Sequence, residues 1–82
     1  MVKISLPTPL RPYAGKQAQV EVTGNTIGEA LTSLATQHPE LKRHLFSDDG
    51  KLRSFVNVYV NDEDIRYLDK LDTEVKDTDL IS

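Results

Sequence analysis

Cysteine is absent from the 82 residues of this sequence, and its absence excludes several classes of protein. A chain without cysteine has no disulfide framework, no thiolate nucleophile, no zinc ribbon and no iron–sulfur ligation, so packing alone must stabilise the fold. A reducing compartment suits such a chain, and we expect a cytoplasmic protein. Long apolar runs are also absent, so we expect no secretory signal, no membrane span of about 18 residues and no membrane partner.

Sequence motifs for catalysis and metal binding are missing as well. The four glycines form no phosphate-binding loop, and no serine stands in a nucleophile-elbow pattern. His38 and His44 lack metal-ligand spacing, and the acidic residues 62–64 lack the glycine and the distal glutamate of a calcium loop. We therefore expect no catalytic residue, no metal site and no bound cofactor.

Charge is distributed unevenly around a net charge of -3. Residues 1–60 carry 7 basic and 5 acidic side chains, whereas residues 61–82 carry 3 basic and 8 acidic ones. Binding to a phosphate backbone needs clustered lysine and arginine, and the basic group here is small: Lys42, Arg43 and His44 next to Lys51 and Arg53. The charge pattern argues against a nucleic-acid partner and favours a basic or mixed protein surface.

The first quarter of the chain predicts two strands. Alternating apolar residues indicate a strand over Val2–Leu6, and a second alternation over residues 18–23 indicates another, antiparallel to the first. Prolines lie between them, so Pro7–Gly15 is predicted to be an irregular connection that Leu10 and Tyr13 anchor inward.

A helix with a defined start and end follows. Thr26 and Glu29 have the spacing of a capping box, and Pro39 prevents the helix from continuing past about His38. Its apolar residues form one stripe that must face a sheet: Ile27, Ala30, Leu31, Leu34 and Ala35. Three apolar residues after the proline predict a further short turn of helix: Leu41, Leu45 and Phe46.

The segment Phe55–Val60, FVNVYV, has the highest β propensity in the chain. We expect it to be the central strand, with its three valines under the helix and Phe55, Asn57 and Tyr59 on the opposite face. A short strand is predicted around Ile65–Tyr67, and Leu80–Ser82 begins a last strand.

These elements fit one domain over residues 1–82, since a chain this short buries only about 60 to 65% of its unfolded surface and cannot support a second core. The predicted order is β-β-α-β-β-β. A mixed sheet with one main helix packed across one face buries the helical stripe. The predicted fold class is therefore α+β, with the architecture of a β-grasp, or ubiquitin-like, roll.

An apolar patch is predicted on the open face of this sheet. Phe55 and Tyr59 stand there, joined by Leu80 from the last strand. Exposed aromatic residues on a sheet usually mark a partner surface, so we interpret these three residues as partner-binding. The alternative is that the proline-rich connection or Phe46 covers part of the patch.

Three segments have a familiar pattern: KISLPTPLRPYAG near the start, VTGNTIGEALTSL around the helix, and FVNVYVNDEDIR from Phe55 to Arg66. In these segments the chain resembles the MoaD/ThiS superfamily of ubiquitin-like sulfur carriers, and its CysO-type branch in particular. The likeness extends over essentially the whole chain, and the NVYVNDEDIR block is its most specific part. The chain departs from the family pattern where Thr78 replaces a usual glycine and where Leu80 stands at a commonly charged position.

The resemblance implies a carrier that is a substrate of enzymes rather than an enzyme. In the family, an activating enzyme uses ATP and Mg²⁺ to adenylate a C-terminal glycine, and sulfur transfer gives a thiocarboxylate for cysteine, molybdopterin or thiamine-type biosynthesis. The implied partners are this activating enzyme and a sulfur-accepting biosynthetic enzyme. Expected contacts are Phe55, Tyr59 and Leu80, with Arg53 and Arg66 as charged neighbours.

Family members continue past the last strand into a tail that ends in Gly-Gly, and this tail is absent from the present sequence, which ends at Ser82. Two interpretations stay open: about eight further residues follow in the gene product, as a mobile terminus, or the molecule is not charged with sulfur. In the second case it is a tail-less β-grasp module that binds a protein partner. An RNA-binding β-grasp domain is disfavoured by the acidic C-terminal quarter.

Overall fold

The computed structural model describes residues 1–54 and 56–82. These residues contain five strands, β1 to β5: Val2–Ser5, Gln19–Val22, Tyr59–Val60, Glu63–Asp64 and Leu80–Ile81. The same residues contain two α-helices, α1 (Ile27–Gln37) and α2 (Pro39–Leu45), and three 3₁₀ segments: Thr8–Ala14, Ile65–Tyr67 and Lys70–Asp72. The predicted α+β architecture is confirmed, because the strands form one mixed sheet whose buried face packs against the helices.

The sheet has the order β2-β1-β5-β3-β4, so the first and last strands lie side by side in its middle. β1 pairs antiparallel with β2, as predicted, with Ile4 opposite Val20, and pairs in parallel with β5, with Ile4 opposite Ile81. The prediction that the FVNVYV segment is the central strand is therefore wrong. Pairing with β1 places β5 at the centre, and β3 lies between β5 and β4.

The segment predicted to be a strand over Phe55–Val60 forms a shorter one. Only Tyr59 and Val60 are in strand β3, and residues 56–58 have no β partner in the described part of the chain. Phe55 lies outside the described residues. Val58 and Val60 are buried and Val56 packs half-buried against the core, which confirms the predicted core face of this segment.

The predicted strand around Ile65–Tyr67 is wrong, because the strand β4 ends before it. Ile65–Tyr67 is a 3₁₀ turn, and the Asp64 side chain caps its start by accepting a hydrogen bond from the Arg66 N–H at 2.9 Å. A short polar side chain that satisfies the backbone locally favours a turn over a strand.

Helix α1 begins and ends where the sequence predicts. The Thr26 hydroxyl accepts a hydrogen bond from the Glu29 N–H at 3.2 Å, and the Glu29 carboxylate accepts one from the Asn25 N–H at 3.0 Å. In a standard capping box, Glu29 would accept a hydrogen bond from the N–H of the cap residue, Thr26. Here it accepts one from the N–H of the preceding residue, Asn25, instead. The predicted apolar stripe is buried along its whole length: Ile27, Ala30, Leu31, Leu34 and Ala35.

Two proline-containing segments are more regular than the sequence suggests. Thr8–Ala14 is a 3₁₀ helix rather than an irregular connection, and Leu10 and Tyr13 pack against the core from it, as predicted. Pro39 occupies the first position of α2, which extends the predicted turn to seven residues. Proline is tolerated in the first helical turn because the N–H that it lacks has no partner there.

None of the helices in the described residues has the length and apolarity of a bilayer-spanning helix.

Side chains fix the path of the chain into β5. Asn61, with φ of 49°, donates from Nδ2 to Oδ1 of Asp79 at 2.9 Å, and its Oδ1 accepts from the Leu80 N–H at 3.0 Å. The other carboxylate oxygen of Asp79 accepts from the Lys76 N–H at 2.8 Å. These contacts join the turn after β3 to the turn before β5.

Removing an unpaired hydroxyl from the core should raise stability. Thr73 is 9% exposed, and its hydroxyl has no hydrogen-bond partner among the described residues. An unpaired buried hydroxyl costs about 1–3 kcal/mol. Thr73→Val removes the hydroxyl and keeps the branched shape, so we expect the melting temperature to rise by about 4–8 °C for each kcal/mol recovered. Thermal unfolding followed by circular dichroism measures the change.

The matched control for this prediction is Thr26→Val. The same change there removes the N-cap of α1 and should cost about 1 kcal/mol of stability. A fall in melting temperature for both variants would contradict the prediction.

Acid should weaken the contact that leads into β5. Hydrogen bonds from the Lys76 N–H, and secondarily from the Asn61 amide, hold the pKa of Asp79 below its usual value. A lowered carboxyl pKa stabilises the fold above the unfolded value of about 3.9, and this stabilisation is lost as pH falls through the folded value. We therefore expect Asp79→Asn to be less stable than the parent at neutral pH but to lose less stability between about pH 5 and pH 2.

Chemical denaturation at several pH values measures this difference. Asp62→Asn, which removes one carboxylate from the neighbouring turn at a position that is also at positive φ, is the control for the loss of a surface charge. If the stability of Asp79→Asn fell with decreasing pH as steeply as that of the parent, the lowered pKa of Asp79 would be contradicted.

Candidate partner-binding surface

The outer face of the sheet lies opposite the helices and carries the end of the described chain. Tyr59, Leu80 and Lys3 lie on this face, because each alternates with a buried residue of its strand. Tyr59 and Ser82 exchange two backbone hydrogen bonds, of 3.0 Å from the Tyr59 N–H and 2.8 Å from the Ser82 N–H. Ser82 therefore lies directly beside Tyr59.

Two of the three residues predicted to form the apolar patch are accessible on this face. Tyr59 is 36% exposed, and Leu80 is half-buried next to Lys3 of β1. The third residue, Phe55, is not among the described residues. Phe46 and the proline-rich 3₁₀ helix pack against the core, so they lie on the helix side of the sheet and not over Tyr59.

Arg66 stands at the edge of the outer face, where Asp64 orients it. Asp64 lies opposite Tyr59 in the β3–β4 pair, and its carboxylate accepts hydrogen bonds from the Arg66 guanidinium at 2.6 and 3.0 Å. The side-chain hydrogen bonds, and then that from the Arg66 backbone N–H, hold the pKa of Asp64 below its usual value. The same side-chain bonds raise the pKa of Arg66. The guanidinium is thus held in place with its charge largely compensated.

Arg53 has a different environment from the one that the sequence suggests. Its Nε donates to the Arg43 carbonyl oxygen at 2.7 Å, which ties it to the last turn of α2. Arg53 and Arg66 both line a cleft of about 290 Å³, together with Asp64. The structure therefore brings the two predicted arginines together on the β4 side, whereas Leu80 lies on the other side of β3.

Two apolar residues near this edge are exposed, which the sequence did not indicate. Tyr67 is 87% exposed and Leu68 is 37% exposed. Tyr67 is the last residue of the Ile65–Tyr67 turn and Leu68 follows it, whereas the predicted strand places Tyr67 in a sheet rather than on an exposed turn. The signal that could have found it is the aspartate two residues before Arg66, because an aspartate at that spacing predicts a capped turn.

The surface offers an aromatic ring, an aliphatic side chain and an oriented guanidinium, from Tyr59, Leu80 and Arg66. Groups of these types suit protein recognition through apolar burial and charge-assisted hydrogen bonds, so the three residues stay predicted partner contacts. In the part of the chain that the structure describes, no group of three His, Asp or Glu side chains could hold a metal ion.

Comparison with known proteins gives matches over the whole chain. The model of the ThiS family matches residues 4–82. Sulfur carrier protein CysO of Mycobacterium tuberculosis is 40% identical over 83 residues, which cover 99% of this chain and 89% of that protein. A chain of the Amycolatopsis orientalis BexX/CysO complex has a TM-score of 0.90 at 41% identity and covers 99% of this chain and 90% of that chain. The crystal structure of Mycobacterium tuberculosis CysO has a TM-score of 0.89 at 38% identity, and the match covers 99% of this chain and 93% of that chain.

These matches bear on both function and fold. Homology to CysO over nearly the full chain supports a sulfur-carrier role, and such carriers are small substrates of enzymes rather than enzymes. In the Amycolatopsis orientalis structure, CysO is in complex with BexX. The resemblance drawn from three sequence segments is confirmed. The chain belongs to the ThiS family of ubiquitin-like, β-grasp sulfur carriers.

Proposed function

We propose that this protein carries sulfur as a thiocarboxylate on a C-terminal carboxylate located beyond Ser82. The observation that carries the proposal is the 40% identity to CysO over 99% of this chain. The strand order supports it, because β5 brings the chain to Ser82 beside Tyr59 on the outer face. A group attached past this point would lie close to the surface that a partner recognises.

The proposed chemistry takes place in an activating enzyme that supplies ATP and Mg²⁺. The carboxylate of the carrier attacks the α-phosphate of ATP, pyrophosphate leaves, and an acyl adenylate forms. Bisulfide then attacks the carboxyl carbon and displaces AMP, which leaves the thiocarboxylate. If the donor is a persulfide, the product is an acyl disulfide, and a thiol reduces it to the thiocarboxylate and a mixed disulfide.

The folded body contributes recognition to this reaction. In the proposal, Tyr59 and Leu80 supply apolar contact area, and Phe55 adds to it on the evidence of the sequence. Arg66 presents an oriented guanidinium, and Arg53 lines the adjacent cleft. The same surface serves the activating enzyme and the sulfur-accepting biosynthetic enzyme in turn, since the tail must be released from one before it reaches the other.

The proposed destination of the sulfur is cysteine biosynthesis, ahead of molybdopterin or thiamine-type biosynthesis. The relatives that are about 40% identical over 99% of this chain are CysO proteins, which favours this order. A thiocarboxylate sulfur is a nucleophile, so the accepting enzyme has to present an electrophilic carbon of an amino-acid precursor. The reaction consumes ATP and reduced sulfur together, and we place it in the cytoplasm for that reason.

Intact-protein mass spectrometry tests the carrier function. The full-length gene product, incubated with its activating enzyme, ATP, Mg²⁺ and a sulfide donor, should gain the mass difference between sulfur and oxygen. Omission of ATP is the control and should leave the mass unchanged. A full-length protein that binds the activating enzyme but is never adenylated would contradict the proposal and favour the alternative function, a protein-interaction module.

Binding measurements test the recognition surface. Tyr59→Ala should weaken binding to the activating enzyme at least tenfold, or about 1.4 kcal/mol, because a central aromatic contact is lost. Its effect on the melting temperature should be small, since Tyr59 is partly exposed in the free protein. Isothermal titration calorimetry and thermal unfolding measure the two effects.

Tyr67→Ala is the matched control for this variant. It removes the same type of ring from the neighbouring turn, outside the strand that carries Tyr59. Unchanged binding by Tyr59→Ala together with weakened binding by Tyr67→Ala would move the surface from β3 to the turn.

A further inference from the structure

The strand β2 forms one edge of the sheet, and its outer side has no strand partner among the described residues. The Leu6 N–H donates to the Ala18 carbonyl oxygen at 2.8 Å, so these two residues are a hydrogen-bonded pair that extends the β1–β2 ladder. Such pairs recur at every second residue of an antiparallel ladder, so the backbone groups of Val20 also point to β1. Those of Gln19 and Glu21 therefore point to the free edge.

One side chain guards this edge. Nε2 of Gln37, the last residue of α1, donates to the Glu21 carbonyl oxygen at 3.3 Å. Within the part of the chain that the structure describes, no other hydrogen bond reaches the outward backbone groups of Gln19 and Glu21. β2 also lacks a proline, a lysine and a bulge, which commonly protect edge strands. An edge of this kind is a template for pairing with another strand.

The opposite edge of the sheet is less suited to strand pairing. β4 has two residues, and the chain leaves it at once into the 3₁₀ turn that Asp64 caps. β2 has four residues, and all of them are paired in continuous register with β1. Pairing at β2 would leave Tyr59 accessible, because β1 and β5 lie between β2 and β3.

A second copy of this chain fits the β2 edge in one antiparallel register. Pairing Gln19 with Gln19 would bring Glu21 opposite Gln17, whose N–H already donates to the Ala14 carbonyl oxygen at 3.3 Å. Pairing Glu21 with Glu21 would place two carboxylates opposite each other, which is destabilising. A twofold axis at Val20 avoids both problems, since Gln19 of each copy then lies opposite Glu21 of the other.

This register is complementary in both hydrogen bonds and charge. Each pair of Gln19 and Glu21 exchanges two backbone hydrogen bonds across the axis. The side-chain amide of Gln19 can also donate to the Glu21 carboxylate of the second copy. Within each copy, Lys3 lies opposite Glu21 on the other side. A row of Lys3, Glu21 and Gln19 therefore crosses the boundary between the copies, and no two like charges are adjacent in it.

We propose that β2 docks a second copy of this chain and joins the two sheets in antiparallel register about Val20. Gln37 competes for the Glu21 carbonyl oxygen and keeps the association weak. The twofold axis of an antiparallel pair is perpendicular to the sheet, so both outer faces lie on the same side of one continuous sheet. The dimer thus presents two Tyr59 surfaces side by side.

Opposite charges introduced at one position test the register. Gln19→Lys places an ammonium group opposite Glu21 of the second copy and should strengthen the dimer, whereas Gln19→Glu places a carboxylate there and should weaken it. The dissociation constants of the two variants should differ by about tenfold, since the twofold axis counts each pair twice. Sedimentation equilibrium measures these constants. Thr78→Lys and Thr78→Glu make the same charge changes in the exposed turn before β5 and should not differ from each other.

Hydrogen exchange locates the contact. The outward amides of Gln19 and Glu21 should gain protection as the concentration of Gln19→Lys or of the parent chain rises. The Val20 amide, which already points to β1, should be protected at every concentration. Gln37→Ala should increase the protection of the outward amides at a given concentration, because it releases the Glu21 carbonyl oxygen.

Equal dissociation constants for the two Gln19 variants, or exchange at Gln19 and Glu21 that does not depend on concentration, would overturn the inference. Protection of these amides only after another protein is added would assign the edge to a different partner and would also overturn it. The experiment involves no activating enzyme and no sulfur. Its outcome is therefore independent of thiocarboxylate formation, and either proposal can fail while the other holds.

Discussion

The parallel pairing of β1 with β5 is the contact on which the rest of this fold depends. It joins the two ends of the chain in the middle of the sheet, where Ile4 and Ile81 lie opposite each other and both are buried. Without it, β1–β2 and β3–β4 would be two separate hairpins, and an isolated hairpin is marginally stable in water. A pairing this distant in sequence has a large loop-closure cost. The side-chain contacts of Asn61 and Asp79 help to offset this cost because they preset the entry of β5.

A central β5 separates recognition from chemistry in a way that suits a carrier. The chain reaches Ser82 at a fixed position beside Tyr59, and the direction of anything attached there is set by the sheet. In the proposed function, the body docks in one orientation while the segment beyond Ser82 reaches into an active site. The proposal therefore assigns function to one surface and one terminus, and needs no catalytic side chain in the shared fold.

The sequence predicted the elements that carry their own local signals. Strands β1 and β2 have alternating apolar residues, and α1 has both an apolar stripe and the Thr26 cap, so their positions follow from patterns within each segment. The central position of β5 could not be predicted from the sequence. A strand of two residues is too short to show an alternating pattern of apolar residues, and its place in the sheet depends on a partner strand far away in the chain. High β propensity in FVNVYV was overridden for the same reason, since residues 56–58 have no partner strand among the described residues.

The sequence likewise predicts part of the candidate site but not all of it. The hairpin within NVYVNDEDIR brings Tyr59 and Arg66 to one edge, because a tight turn at residues 61–62 pairs Tyr59 with Asp64. The contact of Arg53 with the Arg43 carbonyl had no sequence signal. It depends on how the end of α2 is placed, and that placement is set by packing of the whole core.

Charge and apolar contact have separate roles on this surface. Residues 61–82 carry 8 acidic and 3 basic side chains, and an excess of this kind favours long-range attraction of a basic or mixed protein surface. Beside Tyr59, the carboxylate of Asp64 forms a salt bridge with Arg66, so these two charges compensate each other. Added salt should therefore slow association, since it screens the distant acidic groups. If Tyr59 is a partner contact as proposed, we expect the dissociation rate to depend mainly on the apolar area around it, which moderate salt does not screen. The association rate and the dissociation rate should then respond to different parts of the same small face.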